Sequence, residues 1–270
     1  MKLRETASWL SLSVATCTDV GRKRRKNEDK CLVLSLDERK QFDGSMAANL
    51  ILGPCGVLLA VADGMGGHRS GEVASALCTE ALATELLRRV GKANPPCENP
   101  QSLLADAVEA LNQTIYIAAG RKPEYHGMGT TLTAAWLVDD AVEVAQVGDS
   151  RAYLFRDGNL VLLTRDQTVG NLLLPEDRGA QVSSQVKDML TQAVGAQAGV
   201  SPVLSRTSVR SGDSLMLCCD GLYKVIEEER IKEILSLPDS AQAKVEALVA
   251  HANEYGGPDN ISVILAEIVS

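Results

Sequence analysis

The stretch Val57-Leu58-Leu59-Ala60-Val61-Ala62-Asp63-Gly64-Met65-Gly66-Gly67 joins an apolar run directly to an aspartate and a glycine-rich turn. An apolar run that ends in turn-forming glycines predicts a buried strand. Such a strand would carry the carboxylate of Asp63 to the edge of a sheet, where the chain turns away. The stretch therefore predicts a charged side chain at the end of a buried strand.

Similar arrangements occur at three further places along the chain. Asp149 follows the apolar run 142–147, Asp220 follows the run 215–219, and Asp259 lies in the turn sequence Gly257-Pro258-Asp259-Asn260. Each of these, taken alone, fits a solvent-exposed turn aspartate equally well. If folding brings the carboxylates together, a hard divalent cation is needed to relieve their repulsion. The pattern favours a metal site built from carboxylates.

A basic run lies directly beside an acidic pair near the start of the chain. The segment Arg22-Lys23-Arg24-Arg25-Lys26 is followed by Asn27 and then by Glu28 and Asp29. A guanidinium group can hold a phosphate through two parallel hydrogen bonds. A solvated basic turn is the simpler interpretation of most of the run. Together with the aspartates, the segment indicates phosphate chemistry beside a metal.

Composition limits the class of protein. The chain has 270 residues, of which 45% are hydrophobic and 23% are charged, with a formal net charge of -8. These values are ordinary for a globular domain, and the negative charge argues against binding to nucleic acid or to an anionic membrane. No apolar stretch approaches the roughly 20 residues that a membrane-spanning helix needs. The seven cysteines include no C-x-x-C pair and indicate reduced thiols, so we expect a cytoplasmic protein.

Helical and strand-like segments are mixed along the chain. Alanine- and leucine-rich segments predict helices over 72–90 and 101–119, and Asp139-Asp140 and Asp157-Gly158-Asn159 predict hairpin turns. The remaining patterns predict helices over 227–235 and 241–252 and strands over 10–18, 31–36, 57–62, 130–138, 141–147, 152–156, 160–163, 203–209, 215–219 and 261–268. Hairpins mixed with helices in this way predict an α+β fold.

Taken in order, the motifs resemble those of a known protein family. They are Asp19-x-Gly21-x-x-Arg24-x-x-Asn27-Glu28-Asp29, Val61-Ala62-Asp63-Gly64-Met65-Gly66-Gly67-His68, Gly127-Met128-Gly129-Thr130-Thr131, Val147-Gly148-Asp149-Ser150-Arg151, Cys219-Asp220-Gly221-Leu222 and Gly257-Pro258-Asp259-Asn260. Any one of them is a weak signal because Asp-Gly turns are common, but six in the same order are specific. From about Cys17 to Val269 the chain resembles the metal-dependent protein phosphatases of the PP2C type, in their bacterial form.

The resemblance implies an architecture. Proteins of this type are four-layer α-β-β-α sandwiches, in which two central antiparallel β-sheets are flanked by helix pairs. We therefore expect one catalytic domain over residues 1–270, with a flap-like subregion at about 166–192. We also expect a monomer.

The resemblance also implies a set of metal ligands. Asp63 would bridge two ions, and the carbonyl oxygen of Gly64 would bind one of them. Asp220 and Asp259 would complete the protein ligands of the other ion. Oxygen ligands of this kind favour Mn²⁺ or Mg²⁺ over zinc.

Three further carboxylates have weaker roles by the same resemblance. Glu28 and Asp29 would hold metal-bound waters rather than the metals themselves. Asp149 would join Asp220 around a third, loosely held ion. The alternative for Asp149 is that it is simply the first residue of a turn between two strands.

The spacing of the family motif assigns phosphate binding to Arg24. The other basic residues of the run, Arg22, Lys23, Arg25 and Lys26, are additional to the motif. Met65 stands where the eukaryotic branch of the family has a histidine that is thought to protonate the leaving group. A thioether cannot donate a proton, so the leaving oxygen would take its proton from a metal-bound water or from solvent. His68 is the alternative acid, although packing at the edge of the loop explains it more simply.

Together these features imply hydrolysis of phosphoserine and phosphothreonine on proteins, opposing a Ser/Thr kinase. Two divalent ions would activate a water and screen the charge of the phosphate, so no protein nucleophile is required. There are two alternatives. The first, of a different class, is a pseudophosphatase that keeps the fold and only binds partners; the second is a phosphatase of small phosphate esters or a domain of the anti-sigma-factor antagonist type. The intact Asp63, Asp220, Asp259 and Arg24 argue against the first.

Overall fold

Two antiparallel sheets form the centre of the molecule. The computed structural model describes residues 10–66, 70–91, 99–173 and 183–269. Its strands are β1 (Ser11–Asp19), β2 (Asp29–Ser35), β3 (Lys40–Asp43), β4 (Met46–Ile51), β5 (Val57–Met65), β6 (Gly129–Thr130), β7 (Leu132–Val138), β8 (Ala141–Val147), β9 (Arg151–Arg156), β10 (Asn159–Leu162), β11 (Val203–Ser208), β12 (Ser214–Cys218) and β13 (Ile261–Val269). Its helices are α1 (Ser70–Val90), α2 (Pro100–Arg121), α3 (Val169–Leu172), α4 (Ser184–Lys187), α5 (Asp220–Tyr223), α6 (Glu228–Leu235) and α7 (Ala241–Glu254), with a 3₁₀ turn at Pro123–Tyr125.

The strand order places neighbouring motifs side by side. The first sheet runs β10-β9-β12-β13-β1-β4, and the second runs β11-β8-β7-β5-β2-β3, with the short β6 paired to β5. Because β2 is antiparallel to β5, the first residue of β2 lies opposite the end of β5, where Asp29 faces Asp63 across the ladder. The end of β12 likewise lies beside the start of β13. Separate parts of the sequence thus meet at one edge of the sheets.

Strand β5 shows why the second sheet is buried on both faces. Val57, Leu59 and Val61 point into the core between the two sheets, whereas Leu58 and Ala60 point into the core beneath the helices α1 and α2. Side chains alternate between the faces of a strand, so an unbroken apolar run serves two cores at once. Each fully buried leucine or valine contributes roughly 1.5–3 kcal/mol. The apolar run anchors the turn that follows it.

The outer layers complete a four-layer arrangement. Helices α1 and α2 cover the second sheet, with Leu82, Leu111 and Trp136 in that core. Helices α6 and α7 cover the first sheet, and the core between these helices and the sheet contains Leu248, Val263 and Leu265. Three apolar layers separate four layers of secondary structure. The predicted α-β-β-α sandwich is confirmed.

Two strands were absent from the sequence prediction. Strand β3 is short, and β4 is an edge strand that pairs with β1. Alternate residues of β4 are exposed, so this strand has no continuous apolar run to signal it. The strand predicted over 130–138 is divided: Gly129–Thr130 pairs with the end of β5, and Leu132–Val138 pairs with its body.

Both predicted hairpin turns are confirmed. Strands β7 and β8 pair up to Val138 and Ala141, and β9 and β10 pair up to Arg156 and Asn159. The six cysteines that the structure describes have free thiols, and Cys97 lies outside the described residues. Of the helices in the described ranges, none combines the length and the apolar character needed to cross a membrane.

Candidate metal centre

A cleft of about 250 Å³ opens at the edge where strands of both sheets end. Its walls bring together residues that are distant in the sequence: Arg24 and Asp259, which are hydrogen-bonded, are 235 positions apart. Seven of the eight predicted site residues line it: Arg24, Glu28, Asp63, Gly64, Asp149, Asp220 and Asp259. The eighth, Asp29, lies behind the cleft and is 2% exposed.

The end of β5 is held in place by two threonines. The Thr131 N–H and the Thr130 hydroxyl both donate to the carbonyl oxygen of Asp63, each at 2.9 Å. The Thr131 hydroxyl accepts from the Asp63 N–H at 3.0 Å. Because the Asp63 backbone is bonded on both sides, its half-buried side chain is directed into the cleft.

Gly64 lies where no side chain fits. A β-carbon at this position would collide with the carbonyl oxygens of Gly71 and Glu28. The close approach lets the Gly64 N–H donate to the Glu28 carbonyl at 3.2 Å and brings the start of α1 against the end of β5. Glycine is therefore required to bring the backbone of this turn close to Glu28 and Gly71.

Asp29 and Asp63 are direct cross-strand neighbours, so their side chains lie on the same face of the sheet. Among the described residues, neither carboxylate oxygen of Asp29 has a hydrogen-bond partner. Burial raises the pKa of Asp29 to about 6, the nearby Ser262 and Cys219 side chains act in the opposite direction although neither is within hydrogen-bond geometry, and the negative charges of Asp220 and Asp259 add to the increase. Burial likewise raises the pKa of Asp63 well above its usual range, with Asp29 as the strongest charged contributor. Unpaired buried carboxylates of this kind call for a cation.

Asp220 begins the short helix α5 rather than lying in an open turn. One of its carboxylate oxygens, Oδ2, accepts from the Lys224 ammonium at 2.7 Å. The other, Oδ1, is buried and has no hydrogen-bond partner in the described part of the chain. One oxygen of Asp220 is therefore available to a metal ion.

Asp259 is held by the loop that carries the basic run. The Arg24 guanidinium donates to Asp259 Oδ2 at 2.7 Å, and the Asn260 N–H donates to Oδ1 at 2.8 Å. The Arg24 and Asp259 side chains are 53% and 32% exposed, and ion pairs this exposed contribute at most about 1 kcal/mol. Arg24 can therefore exchange Asp259 for another anion. Arg25 is exposed and does not line the cleft.

Asn260 joins the two loops of this wall. Its side-chain amide donates to the carbonyls of Val20 and Lys26, at 3.0 and 2.8 Å, and its oxygen accepts from the Glu28 N–H at 2.9 Å. These three bonds close the loop between β1 and β2 over the turn that carries Asp259. They set the distance between Arg24 and the aspartates.

Asp149 follows β8 and is 5% exposed. The Tyr223 hydroxyl donates to its carbonyl oxygen at 3.1 Å, and the Lys224 ammonium lies 3.4 Å from its Oδ2. Burial raises the pKa of Asp149 to about 6, the charge of Asp220 raises it further, and Lys224 acts in the opposite direction. Asp149 thus belongs to the cleft rather than to an exposed turn.

The residue types fit divalent cations with oxygen ligands. Over the described residues, no three Asp, Glu, His or Cys side chains are grouped so that they could hold a metal ion as they stand. Two of the acids are paired with cationic side chains, Asp259 with Arg24 and Asp220 with Lys224. The unpartnered Asp220 Oδ1 and the raised pKa of Asp63 are the features that a cation would satisfy. Carboxylate and carbonyl oxygens are the donor type that Mn²⁺ and Mg²⁺ prefer.

The pKa increases predict how stability depends on pH. When a carboxyl has a folded pKa near 6 and an unfolded pKa near 4, stability is lost as pH rises between these values. The cost is roughly 3 kcal/mol for each of Asp29 and Asp149 once they are ionised. Divalent ions held by the neighbouring Asp63 and Asp220 would offset part of this cost by attraction, without binding Asp29 or Asp149 directly, and only at pH values where the carboxylates are charged. We expect the increase in melting temperature on adding Mn²⁺ to be about 5 °C or more larger at about pH 7.5 than at about pH 5. Equal increases at both pH values would contradict this assignment of the charges.

The flap-like segment contributes one wall of the cleft. Asp188 and Leu190 line the cleft, and the two ends of the segment pair through Thr168 and Leu190. Gln167 connects this pair to the site, since its N–H donates to the carbonyl of Gly148 at 2.9 Å. Residues 174–182, in the middle of the segment, lie outside the described residues, as does His68.

Four residues that line or support this cleft have no role in the sequence prediction. Thr130, Thr131 and Asn260 lie within motifs that the sequence shows, but the motifs alone assign them no contact. Lys224 carried no signal except its position four residues after Asp220, which places it one helical turn away. That spacing becomes informative only once Asp220 is known to begin a helix.

Comparison with protein families and with known structures identifies relatives of this arrangement. Residues 49–266 match the family model described as protein phosphatase 2C. The serine/threonine protein phosphatase PstP of Mycobacterium tuberculosis is 37% identical over 214 residues, which are 78% of this chain and 40% of that protein. The chain therefore matches less than half the length of PstP. The serine/threonine phosphatase Stp of Listeria monocytogenes is 32% identical over 256 residues, 93% of each chain.

Solved structures give the same result for the fold. The catalytic domain of PstP in complex with two manganese ions superimposes with a TM-score of 0.77 at 34% identity, covering 97% of this chain and 100% of that one. The serine/threonine phosphatase of S. agalactiae superimposes with a TM-score of 0.81 at 28% identity. Both similarities extend over the sheets and the cleft described above.

Proposed function

Because the chain belongs to the protein phosphatase 2C family, we propose that it is a metal-dependent protein serine/threonine phosphatase. The observation that carries the proposal is the convergence of Asp63, Asp220 and Asp259 with Arg24 in one cleft. Three carboxylates beside an exchangeable guanidinium form a site for cations and a phosphate together. A partner-binding protein without activity has no need for a buried, mutually repelling set of this kind.

The proposed metal ligands are the carboxylates of Asp63, Asp220 and Asp259 and the carbonyl oxygen of Gly64. The cofactors are two Mn²⁺ or Mg²⁺ ions, which supply an activated water and neutralise phosphate charge when bound. Burial raises the pKa of Asp63, and the negative charges of Asp29, Asp220, Asp259 and Asp149 add to the increase. This position close to four other aspartates supports a bridging role for Asp63.

Glu28 and Asp29 are proposed to orient water at the metals rather than to bind them. Glu28 lines the cleft, and burial raises the pKa of its carboxyl while Arg24 acts in the opposite direction. Asp29 lies behind Asp63, and its two unpartnered oxygens can accept hydrogen bonds from water. The position of Asp29 opposite Asp63 and the position of Glu28 in the cleft support this role.

Arg24 is proposed to bind the phosphate of the substrate. Release from Asp259 would free two parallel N–H donors toward the cleft, and this exchange costs little because the pair is exposed. Met65 lies at the rim, is 41% exposed, and carries no transferable proton. The leaving serine or threonine oxygen therefore takes its proton from water.

Phosphorylated proteins are the proposed substrates, because the flap-like segment adds a wall to the cleft beyond the residues that would hold the metals and the phosphate. Asp188 and Leu190 lie in this wall, where a peptide could contact them. We further propose that the protein opposes a Ser/Thr kinase, acts as a monomer, and works in the reducing cytoplasm, as its free thiols suggest. The continuous core between the two sheets supports one catalytic domain.

Phosphate release from a phosphothreonine peptide tests the proposed function. We expect turnover with Mn²⁺ or Mg²⁺, loss of turnover with EDTA, and recovery when Mn²⁺ is added again. Full turnover in metal-free buffer would contradict the metal-dependent account.

A second comparison separates a protein phosphatase from a phosphatase of small esters. Contacts beyond the phosphate lower the barrier for a larger substrate. We expect kcat/KM for the phosphothreonine peptide to exceed that for free phosphothreonine by about tenfold or more. Equal values for the two substrates would favour the small-ester alternative.

A further inference from the structure

The ammonium group of Lys224 lies between two carboxylates of the cleft. Its Nζ is 2.7 Å from Asp220 Oδ2 and 3.4 Å from Asp149 Oδ2. Asp149 and Asp220 are 71 positions apart, yet one lysine contacts both. No other cationic side chain is recorded within ion-pair distance of Asp149 or Asp220 in the described ranges.

Local structure fixes this lysine in position. Helix α5 begins at Asp220, and the Lys224 N–H donates to the Asp220 carbonyl at 3.1 Å, which places the two side chains one turn apart. Next to it, the Tyr223 hydroxyl is bonded to Asp149. The Arg151 guanidinium stacks on the Tyr223 ring, 3.7 Å from its centroid, and donates three hydrogen bonds to the Asp166 carboxylate. The ammonium is therefore built into the wall and not a chance surface contact.

Charge and burial keep Lys224 between the carboxylates. The Lys224 side chain is 37% exposed, whereas those of Asp220 and Asp149 are 20% and 7% exposed. The ammonium group thus occupies the space that these two acids share.

We propose that Lys224 is the resident cation of the Asp149–Asp220 pair and prevents a metal ion from binding there. A divalent ion placed between the two carboxylates would meet the ammonium group at short range, and the two positive charges would repel. Asp220 keeps its Oδ1 for the metal that it shares with Asp259, since Lys224 holds only Oδ2. The weak third ion expected at Asp149 from the sequence is therefore replaced by a lysine.

Counting bound Mn²⁺ tests this proposal without relying on activity. The free-ion signal in electron paramagnetic resonance, followed up to millimolar Mn²⁺, gives the number of ions bound per chain. We expect Lys224→Met to bind one ion more than the wild type, with lower affinity than the others. Lys224→Arg, which keeps the positive charge, should bind the same number as the wild type.

Two controls locate the effect. Lys232→Met removes a lysine that pairs with Glu229 at 2.7 Å away from the cleft, and it should not change the count. The double variant Lys224→Met with Asp149→Asn should lose the additional ion. Lys224→Gln serves in place of Lys224→Met if the methionine variant does not melt cooperatively.

The possible counts give distinct conclusions. An equal number of ions in Lys224→Met and the wild type would overturn the proposal, as would an additional ion in Lys224→Arg. The proposal rests on the proposed two-metal function, but the two can fail separately. One extra ion in Lys224→Met over a wild type that binds fewer than two would support the role of Lys224 and contradict the two-metal function.

Discussion

Replacing Asp63 by asparagine is expected to lower kcat/KM for a phosphothreonine peptide by on the order of 1,000-fold, or about 4 kcal/mol. In the proposed bridging role, the Asp63 carboxylate would present one negatively charged oxygen to each metal ion. The asparagine side chain has a single oxygen, which is neutral. Folding should survive, because the Asp63 carboxyl is buried among other acids that raise its pKa. In EDTA the variant should melt at the same temperature as the wild type or higher.

Asp140→Asn is the matched control, since Asp140 is exposed in the β7–β8 turn and its side chain is far from the cleft. The control should keep wild-type turnover at saturating Mn²⁺. Calorimetric titration with Mn²⁺ then measures the metal affinity of Asp63→Asn separately from its turnover. Wild-type affinity for Mn²⁺ together with wild-type turnover would remove Asp63 from the site.

Replacing Arg24 by alanine is expected to lower kcat/KM by about 30- to 1,000-fold, corresponding to roughly 2 to 4 kcal/mol. The loss should appear with an aryl phosphate as well as with a peptide, because the guanidinium would contact the phosphate itself. Steady-state kinetics measures the loss in kcat/KM. The assay uses saturating Mn²⁺, so that the metal site stays filled even if losing the Arg24–Asp259 contact weakens metal binding.

Arg25→Ala is the control for Arg24, because the two neighbours differ only in register. Arg25 is exposed and does not line the cleft. Its loss should have little effect on an aryl phosphate, and any effect on an acidic phosphopeptide should shrink as salt is added. Equal losses for both variants would indicate that the basic run acts as a diffuse positive field. A large loss for Arg25→Ala alone would show that Arg25, and not Arg24, contacts the phosphate.

The fold was predictable wherever a local pattern had one structural meaning. The short apolar run at 57–62, followed by glycines, indicates a buried strand, and Asp157-Gly158 indicates a tight hairpin; both turn residues adopt positive φ angles, 51° and 76°. Strands β3 and β4 were not predictable because they lie near sheet edges and their residues are partly polar. Pairing with a neighbour, rather than local pattern, makes them strands.

The site was predictable as a set of acids and not as a set of contacts. The resemblance selected Arg24, Asp63 and Asp220, and the cleft contains all three. Nothing local in the sequence says that Asn260 bonds across to the loop before β2, or that Lys224 reaches Asp149. Such contacts depend on the meeting of distant strands, which only the folded chain specifies.

Electron paramagnetic resonance of the Mn²⁺-loaded protein tests most directly the claim that Asp63 joins two metal ions. Two Mn²⁺ ions that share a bridging ligand are magnetically coupled, and their spectrum differs from that of isolated ions. The account predicts the coupled spectrum for the wild type and for Asp140→Asn, and isolated ions or a single ion for Asp63→Asn. A spectrum of isolated ions in a wild-type protein carrying two Mn²⁺ per chain would contradict it.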